Sequence, residues 1–242
     1  MESTHEEGGA RVELVEYDVR DRIAHVTIAN GKANALAPDV IAQLDAALTR
    51  AEDAGEAQVG ALMITGAPGM FSGGFDLKVL TGGGQPAIDM LAGGFELAAR
   101  ILAFPKPVVM ACTGPAIAMG SFLLLSGDHL VGSPDHRMQA NEVAIGLTMP
   151  GPALAIMRHR LTPAAFQRAV GLAAVFKGES AIAAGYLDEL VETGTIRARA
   201  QEVAKQLTAL DARAHRESKL LARAGVLDEI RRTIAAEFLP SQ

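Results

Sequence analysis

The 242-residue chain has no tryptophan, one cysteine and few aromatic residues, which make up 4% of the sequence. A single cysteine, Cys112, allows neither an intramolecular disulfide nor a cysteine-based zinc site, and its apolar neighbours predict a buried, unreactive thiol. Free thiols are typical of reducing compartments, so we expect a cytoplasmic protein. The acidic, polar residues at 1–9 also differ from those of a secretory signal peptide.

The chain is also short of positive charge. It has 22 Lys and Arg against 28 Asp and Glu, for a net charge of −6. Because nucleic-acid affinity depends on clustered cations, we expect no nucleic-acid partner. Charged or turn residues interrupt every apolar run before the ~18 residues of a membrane helix, so we expect no membrane association either. What the chain does have is 49% hydrophobic residues, enough for a large core, and 25 glycines.

Segments with period-two alternation or short apolar runs predict strands, and apolar residues at helical spacing predict helices. Because the two kinds alternate, we expect a layered α/β architecture that becomes mostly helical after Pro150. The glycines at 82–84 predict a mobile surface loop. The predicted strands are 12–17, 23–28, 61–65, 108–112 and 129–132, with a hairpin turn at Arg20-Asp21-Arg22, and the predicted helices begin at Pro38 and cover 88–102 and 121–125.

Several standard catalytic motifs are missing, including the phosphate-binding loop, the dinucleotide-binding glycine pattern, the nucleophile elbow and the zinc-protease motif. The six histidines lack metal-ligand spacing, so we expect no metal site. Two glycine-bearing turns remain, at 71–78 and 113–120, and each follows a predicted buried strand. Side by side, two such turns could hold a developing oxyanion between backbone N–H groups. Taken alone, the pattern fits two ordinary strand-to-helix turns equally well.

The first of these turns reads FSGGFDLK at 71–78. It resembles the phenylalanine-x-alanine-glycine-x-aspartate-leucine-lysine motif of the crotonase (enoyl-CoA hydratase/isomerase) superfamily. The order and spacing of the matching segments agree across about residues 12–192. The other segments are 31–36 (GKANAL), 106–128 with Met119-Gly120 and Gly127-Asp128, 141–151 with Asn141-Glu142 and Pro150-Gly151, and 185–191 (GYLDELV).

The resemblance implies a crotonase-like spiral of ββα units. It divides the chain into a flexible leader at 1–10, an acyl-CoA-binding core at 11–192 and a helical oligomerisation region at 193–242. We expect a homotrimer or a hexamer built as a dimer of trimers. An acyl-CoA thioester would be the substrate, as in fatty acid metabolism, and no separate cofactor is expected because CoA is part of that substrate. Apolar tail residues that would need a partner surface are Leu207, Leu210, Leu220, Leu221, Leu227 and Ile230.

Family members stabilise a thioester enolate between two backbone N–H groups, which by motif belong here to Phe75 and Met119. Gly74 and Gly120 would shape the two turns, and the helix that follows Met119 would favour the enolate charge. The Phe75 and Met119 side chains would narrow the acyl pocket.

The resemblance also suggests how CoA binds. A strand-like segment after the first turn would hold the adenine through its backbone, and nearby lysines would meet the CoA phosphates unless they are simply solvated. Basic residues of the C-terminal helices are further candidates for a phosphate on a neighbouring subunit. The residues concerned are Asp76, Leu77 and Lys78 for the segment, Lys32 (beside Ala33) and Lys78 for the phosphates, and Arg216, Lys219 and Arg223 for the tail.

One departure from the family pattern bears on the reaction. Family hydratases use two glutamates; here Glu142 is present, but Phe122 occupies the other position and would only line the substrate pocket. A lone glutamate in an apolar pocket has a raised pKa that suits proton transfer. It could remove a proton from one carbon of the acyl chain and return it to another, as an isomerase does. Hydration would need a second carboxylate, for which Asp89 and Glu96 are candidates. Non-catalytic acyl-CoA binding, decarboxylation and thioester hydrolysis remain as alternatives.

Overall fold

The computed structural model describes residues 12–239, so the predicted leader at 1–10 lies outside the described residues. A six-stranded sheet runs through the molecule. One pair at its edge is antiparallel, and the remaining neighbours in the sheet are parallel. The strands, in their spatial order, are β1 (Val15–Arg20), β2 (Ile23–Ile28), β3 (Ala61–Gly66), β4 (Val108–Ala111), β6 (His129–Gly132) and β9 (Glu189–Leu190).

A second, three-stranded sheet and a set of helices complete the α/β fold. The small sheet has the order β5-β7-β8, with β5 (Ala116–Ile117), β7 (Arg137–Gln139) and β8 (Phe176–Lys177). The helices are α1 (Pro38–Asp53), α2 (Leu77–Gly82), α3 (Gly84–Leu102), α4 (Met119–Leu125), α5 (Gly151–Arg160), α6 (Pro163–Leu172), α7 (Glu179–Ala184), α8 (Ile196–Leu207) and α9 (Ala212–Phe238).

The central strands are apolar throughout because each of their faces meets a different core. In β3, for example, Leu62 and Ile64 join the large core, whereas Ala61 and Met63 point to a smaller one. The smaller core is closed by α8, whose Ile196 is fully buried there. Since successive strand residues face opposite sides, a continuous apolar run is what a sheet covered on both faces requires.

The hairpin is confirmed, but its first strand runs later than predicted. β1 covers Val15–Arg20, and the turn consists of Asp21 and Arg22, with φ of 51° and 62°. Two positive φ values in succession are the geometry of a tight two-residue hairpin turn. The sequence alternation alone could not separate strand from turn at Arg20.

The predicted loop at 82–84 is wrong. The structure ends α2 at Gly82 and begins α3 at Gly84, so only Gly83, with φ 66°, separates the two helices. Glycine reaches this φ without a steric cost, and the three residues therefore form a sharp corner between helices.

The C-terminal helix α9 is tied to the core by a buried ion cluster. Asp128 accepts hydrogen bonds from the Val108 N–H and the Lys219 Nζ, each at 2.7 Å, and its other oxygen lies 2.8 Å from the Arg223 guanidinium. Burial lowers the pKa of Lys219 to about 8, against the opposing pull of Asp128. The cluster joins α9 to the segment between α4 and β6 and to the start of β4, so Asp128 has a structural role.

Candidate active site

The two glycine-bearing turns meet at the carboxyl ends of β3 and β4. Ser72 and Ala116 form a parallel bridge, and the Ile117 N–H donates to the Ser72 carbonyl at 2.9 Å. In parallel sheets the loops after adjacent strands lie at the same edge, which is where such folds bind ligands. The two turns are therefore in contact, an arrangement that the sequence pattern alone left open.

Gly74 and Gly120 are required by the closeness of this contact. A Cβ on Gly120 would lie 2.4 Å from the Ser72 carbonyl oxygen, and one on Gly74 would lie 3.0 Å from the Cβ of Ala118. Gly74 also has φ 96°, which other residues rarely adopt. A side chain at either position would push the turns apart.

Each turn presents one backbone N–H without an acceptor among the described residues. Leu36 forms a bridge with the first turn: its N–H donates to the Gly74 carbonyl, and its carbonyl accepts from the Asp76 N–H. The Phe75 N–H takes no part in this pairing. The Met119 N–H is at the first position of α4, where no intrahelical acceptor exists. Ala118, just before it, has φ 48°, a conformation that costs an alanine energy. The Gly74 position lies next to the Met119 nitrogen, since a Cβ there would be 3.4 Å from it.

Asn34 holds the first turn in place through hydrogen bonds. Its side-chain nitrogen donates to the carbonyls of Ile28, Met70 and Phe71 at 2.9, 3.1 and 3.3 Å, and its backbone carbonyl accepts from the Ser72 hydroxyl at 2.9 Å. The side chain is fully buried. Asn34 therefore fixes the end of β2 against the turn, a role that the sequence analysis did not assign.

Glu142 begins a 3₁₀ turn, Glu142–Ile145, shortly after β7. Its side chain is 7% exposed, and its Oε2 has no hydrogen-bond partner in the described part of the chain. Burial raises the pKa of Glu142 to about 7, partly offset by a hydrogen bond from its own backbone N–H. The carboxyl group is thus poised between its two protonation states near neutral pH.

A cavity of about 610 Å³ joins Glu142 to the first turn. This is the size of a pocket for a small organic ligand. Its wall is mainly apolar and includes two residues from the far end of α9. Its lining residues include Gly73, Phe75, Leu77, Phe95, Ala118, Phe122, Glu142, Glu237 and Phe238.

Aromatic rings form one side of this cavity. The Phe95 ring lies 6.0 Å from that of Phe75, 6.2 Å from that of Phe122 and 5.9 Å from that of Phe238, measured between centroids. Phe122 and Phe75 therefore both line the cavity. Met119 differs from the expectation that its side chain narrows the pocket: it is fully buried in the core and is not part of the cavity wall.

Tyr186 is a further buried polar residue near Glu142, and the sequence analysis gave it no role. Its hydroxyl has no partner within residues 12–239, and its ring packs 5.1 Å from that of Phe176. Burial, reinforced by the negative charge of Glu142, raises the pKa of Tyr186. The only signal in the sequence was a tyrosine within the segment 185–191, GYLDELV, that resembles a family motif.

The segment after the first turn is a helix start and not a strand. Asp76 is the N-cap of α2 and accepts hydrogen bonds from the N–H groups of Lys78 and Val79 at 2.8 and 3.1 Å. An aspartate followed by a short apolar run is a capping pattern, which the strand-like interpretation missed. Leu77 is 66% exposed at the cavity rim.

The candidate CoA lysines lie on segments that the fold brings together. The Gly73 N–H donates to the Ala33 carbonyl at 2.9 Å, which places Lys32 and the first turn side by side. The side chains of Lys32 and Lys78 are both exposed. Lys219 and Arg223 are bound to Asp128 instead, so they are poor candidates for a phosphate.

The two candidates for a second carboxylate do not reach the site. Asp89 and Glu96 are exposed on α3 and line a separate groove beside α1 with Arg100. The carboxylate that shares the cavity with Glu142 is Glu237, which is exposed at the rim and accepts hydrogen bonds from the Gly151 N–H. Nothing in the spacing of the sequence places residue 237 near residue 142.

Residues 18–237 match the sequence model of the family described as "Enoyl-CoA hydratase/isomerase". The chain belongs to the enoyl-CoA hydratase/isomerase family. Among curated members, it is 28% identical to the carnitinyl-CoA dehydratase of Salmonella enteritidis over 185 residues, which are 76% of this chain and 70% of the relative.

Solved structures of family members share the fold. An apo structure described as an enoyl-CoA isomerase of Mycobacterium tuberculosis is 52% identical, with a TM-score of 0.89, covering 93% of this chain and 99% of its own. Another M. tuberculosis structure, described as a probable enoyl-CoA hydratase, is 53% identical, with a TM-score of 0.90 and coverage of 93% and 96%. A family protein of Pseudomonas syringae is 41% identical, with a TM-score of 0.89 and coverage of 93% and 96%. These neighbours confirm the predicted crotonase-like α/β fold.

Within residues 12–239, no group of three or more His, Cys, Asp or Glu side chains is placed to hold a metal ion. None of the helices there is both long and apolar enough to cross a bilayer.

Proposed function

We propose that this member of the family is an enoyl-CoA isomerase that uses Glu142 as its acid and base. The observation that carries the proposal is the state of Glu142: a buried carboxyl group with a pKa near 7 and an unpartnered oxygen, in the same cavity as the first glycine turn. A catalytic acid/base works best when its pKa is near the working pH. Phe122, at the first of the two glutamate positions of family hydratases, offers no proton-transfer group.

The proposed reaction moves a double bond within the acyl chain. The Glu142 carboxylate removes a proton from the α carbon of a β,γ-unsaturated acyl-CoA, and the electron pair shifts onto the thioester oxygen. Protonated Glu142 then returns the proton to the γ carbon as the electron pair moves back, which leaves an α,β-unsaturated thioester. The proton balance closes on one residue, and no oxidation state changes, so the proposal calls for no cofactor besides the CoA of the substrate.

The Phe75 and Met119 N–H groups would stabilise the enolate oxygen. Both lack an acceptor among the described residues, and the Met119 N–H is at the start of α4, where the helix dipole favours negative charge. Removing one such donor typically costs ~3–4 kcal/mol of transition-state stabilisation. Because both donors are backbone groups, the strained Ala118 and the small Gly74 and Gly120 hold them in place.

Substrate binding is proposed to use the cavity and its rim. The aromatic wall with Phe95 and Phe122 suits an acyl chain, and the exposed amino groups of Lys32 and Lys78 suit the CoA phosphates. Hydration is less well supported, because Glu237 is at the exposed rim and both of its oxygens lie within 3.1 Å of the Gly151 nitrogen.

The substitution Glu142→Gln tests the proposal. It keeps the shape of the side chain but removes the proton-transfer group, so we expect turnover of a β,γ-enoyl-CoA to fall by about 10²–10⁴-fold. Binding of a saturated acyl-CoA should persist. Glu96→Gln is the matched control, because Glu96 is exposed on α3 and lines a separate groove, and it should keep isomerase turnover within a few-fold of the parent.

Other outcomes have distinct meanings. If the parent hydrates crotonyl-CoA faster than it isomerises a β,γ-enoyl-CoA, the isomerase assignment is wrong and the site runs as a hydratase. Acyl-CoA binding with no hydration, isomerisation, decarboxylation or thioester hydrolysis would favour the non-catalytic alternative. A substrate panel read by mass spectrometry covers all of these reactions in one experiment.

A further inference from the structure

The end of α9 forms part of the wall of the Glu142 cavity. Phe238, the last residue of the helix, is half-buried, and its ring is stacked on that of Phe95 at 5.9 Å with an angle of 7° between the planes. Such aromatic pairs contribute about 0.5–1.5 kcal/mol beyond their buried area. The side chain is therefore held against the cavity and is not a loose helix end.

A second contact fixes the same end of α9. Both carboxylate oxygens of Glu237 accept a hydrogen bond from the Gly151 N–H, at 3.0 and 3.1 Å. Gly151 opens α5, where backbone N–H groups lack intrahelical acceptors and favour a negative charge. A Cβ on Gly151 would lie 2.3 Å from Glu237 Oε1 and 2.8 Å from the Cβ of Thr233, so α9 lies directly on the start of α5.

The position of Phe238 relative to the reacting groups indicates what it contacts. Phe122 is three residues past the Met119 N–H, so its ring lines the cavity near the oxyanion turns. Phe238 joins the same wall through Phe95 and comes from a different part of the chain. An acyl chain whose thioester oxygen is held at the turns would extend along this wall toward Phe238.

We propose that Phe238 closes the acyl-chain cavity and limits the chain length that this protein accepts, and that the Glu237–Gly151 hydrogen bonds hold it in the closed position. The inference rests on the proposed function, because it takes the cavity as the acyl site. An acyl chain longer than the cavity must displace the Phe238 ring from Phe95 or leave its own terminal methylene groups in water.

The test compares Phe238→Ala with the parent in binding saturated acyl-CoAs, which undergo no isomerisation. The probes are butyryl-, octanoyl- and palmitoyl-CoA, and titration calorimetry gives the dissociation constants. We expect Phe238→Ala to improve palmitoyl-CoA binding relative to octanoyl-CoA by about tenfold, a change that needs only about two newly buried methylene groups. Glu237→Gln should shift the same ratio in the same direction by a smaller factor, because the neutral side chain forms a weaker hydrogen bond.

Leu239→Ala is the matched control, because this neighbouring residue is 48% exposed and lies outside the helix. It should leave the ratio unchanged. If Phe238→Ala fails to fold, judged by its thermal melt, Phe238→Leu replaces it and should shift the ratio in the same direction. An unchanged ratio in a folded Phe238 variant overturns the inference while the proposed function stands. A parent that binds none of the three acyl-CoAs overturns the proposed function, and the inference with it.

Discussion

Glu142 combines burial with access to a cavity, and its ionisation should therefore be visible in activity. In the proposed isomerisation the carboxyl group must be ionised to accept the α proton, and burial raises its pKa from 4.5 to about 7. We expect kcat/KM for a β,γ-enoyl-CoA to rise with pH through about 7 with the slope of one ionisation. A stopped assay over a pH series measures this, and a profile that is flat from about pH 5 to pH 9 would contradict it.

The same ionisation should also affect stability: activity should rise with pH, whereas the stability contributed by Glu142 should fall. A raised pKa means that the folded state holds the proton more tightly than the unfolded chain. The contribution of Glu142 to the free energy of unfolding is therefore greatest below the unfolded value of 4.5 and falls as pH rises through about 7. Glu142→Gln, which cannot ionise, should gain stability relative to the parent between about pH 5 and pH 8, and chemical denaturation at those two pH values measures the difference.

Single residues of the site were predictable only where a motif carried them. Glu142 and the Phe75 and Met119 amides lie at motif positions, and the structure puts Glu142 and Phe75 at one cavity. The role of Asn34 and the position of Glu237 depend on contacts between residues far apart in sequence. Asp89 and Glu96 were candidates because they lie on the helix 88–102, but periodicity does not reveal which neighbour an exposed helix face meets.

At the scale of elements, the buried ion cluster at Asp128 decides how α9 is held. Lys219 and Arg223 approach this carboxylate from α9, and the Lys219 side chain is only 4% exposed. Removing one partner of a buried ion pair leaves the other charges without compensation, which typically costs about 3–5 kcal/mol. We expect Asp128→Asn to lower the free energy of unfolding by about that amount in urea denaturation.

A surface ion pair on the same helix provides the control. Asp228 and Arg231 lie 3.7 Å apart with side chains 79% and 66% exposed. Asp228→Asn should change stability by less than about 0.5 kcal/mol, since solvent screens such pairs. Equal effects of the two substitutions would mean that the Asp128 cluster does not anchor α9.

Elements with a strong local signal were predictable and short ones were not. β3 and β4 are apolar on both faces, and α1 begins at a proline, so their sequences alone indicate their type. β5, β8 and β9 have two residues each and exist through pairing with distant strands. The Asp76 segment was misjudged because a capping side chain, and not the apolar pattern, decides where α2 begins.

At the scale of the whole molecule, exposed apolar residues occur in two places on the described chain. The first is the C-terminal tail, where Leu221 is 80% exposed, although Leu227 and Ile230 are buried against the chain's own core. A second surface surrounds the turn that carries Glu142. Its exposed members are Val143, Ile145, Leu147, Leu172 and Val175.

The predicted homotrimer or hexamer stays a prediction, and the second surface is where we expect its contacts. Contiguous exposed apolar patches mark interaction sites more often than single leucines do. Light scattering should give a mass of three or six chains for the parent. Leu172 is 74% exposed in the single chain, and Leu172→Glu should reduce the measured mass, whereas Leu221→Glu should not. A monomeric parent would contradict the oligomer, and the reverse pattern of the two variants would move the interface to the tail.

The two acceptor-free amides have a consequence for how this protein can change over evolution. A donor that belongs to the backbone survives nearly every substitution at its own position, so Phe75 and Met119 can be exchanged for other residues without loss of the N–H group. Random mutation therefore changes the Glu142 position and the pocket wall far more easily than it changes the geometry of the two amides. Under the proposed function, a descendant of this chain would inherit the enolate-stabilising amides and could acquire a new reaction by exchanging a carboxylate such as Glu142 or a ring such as Phe122.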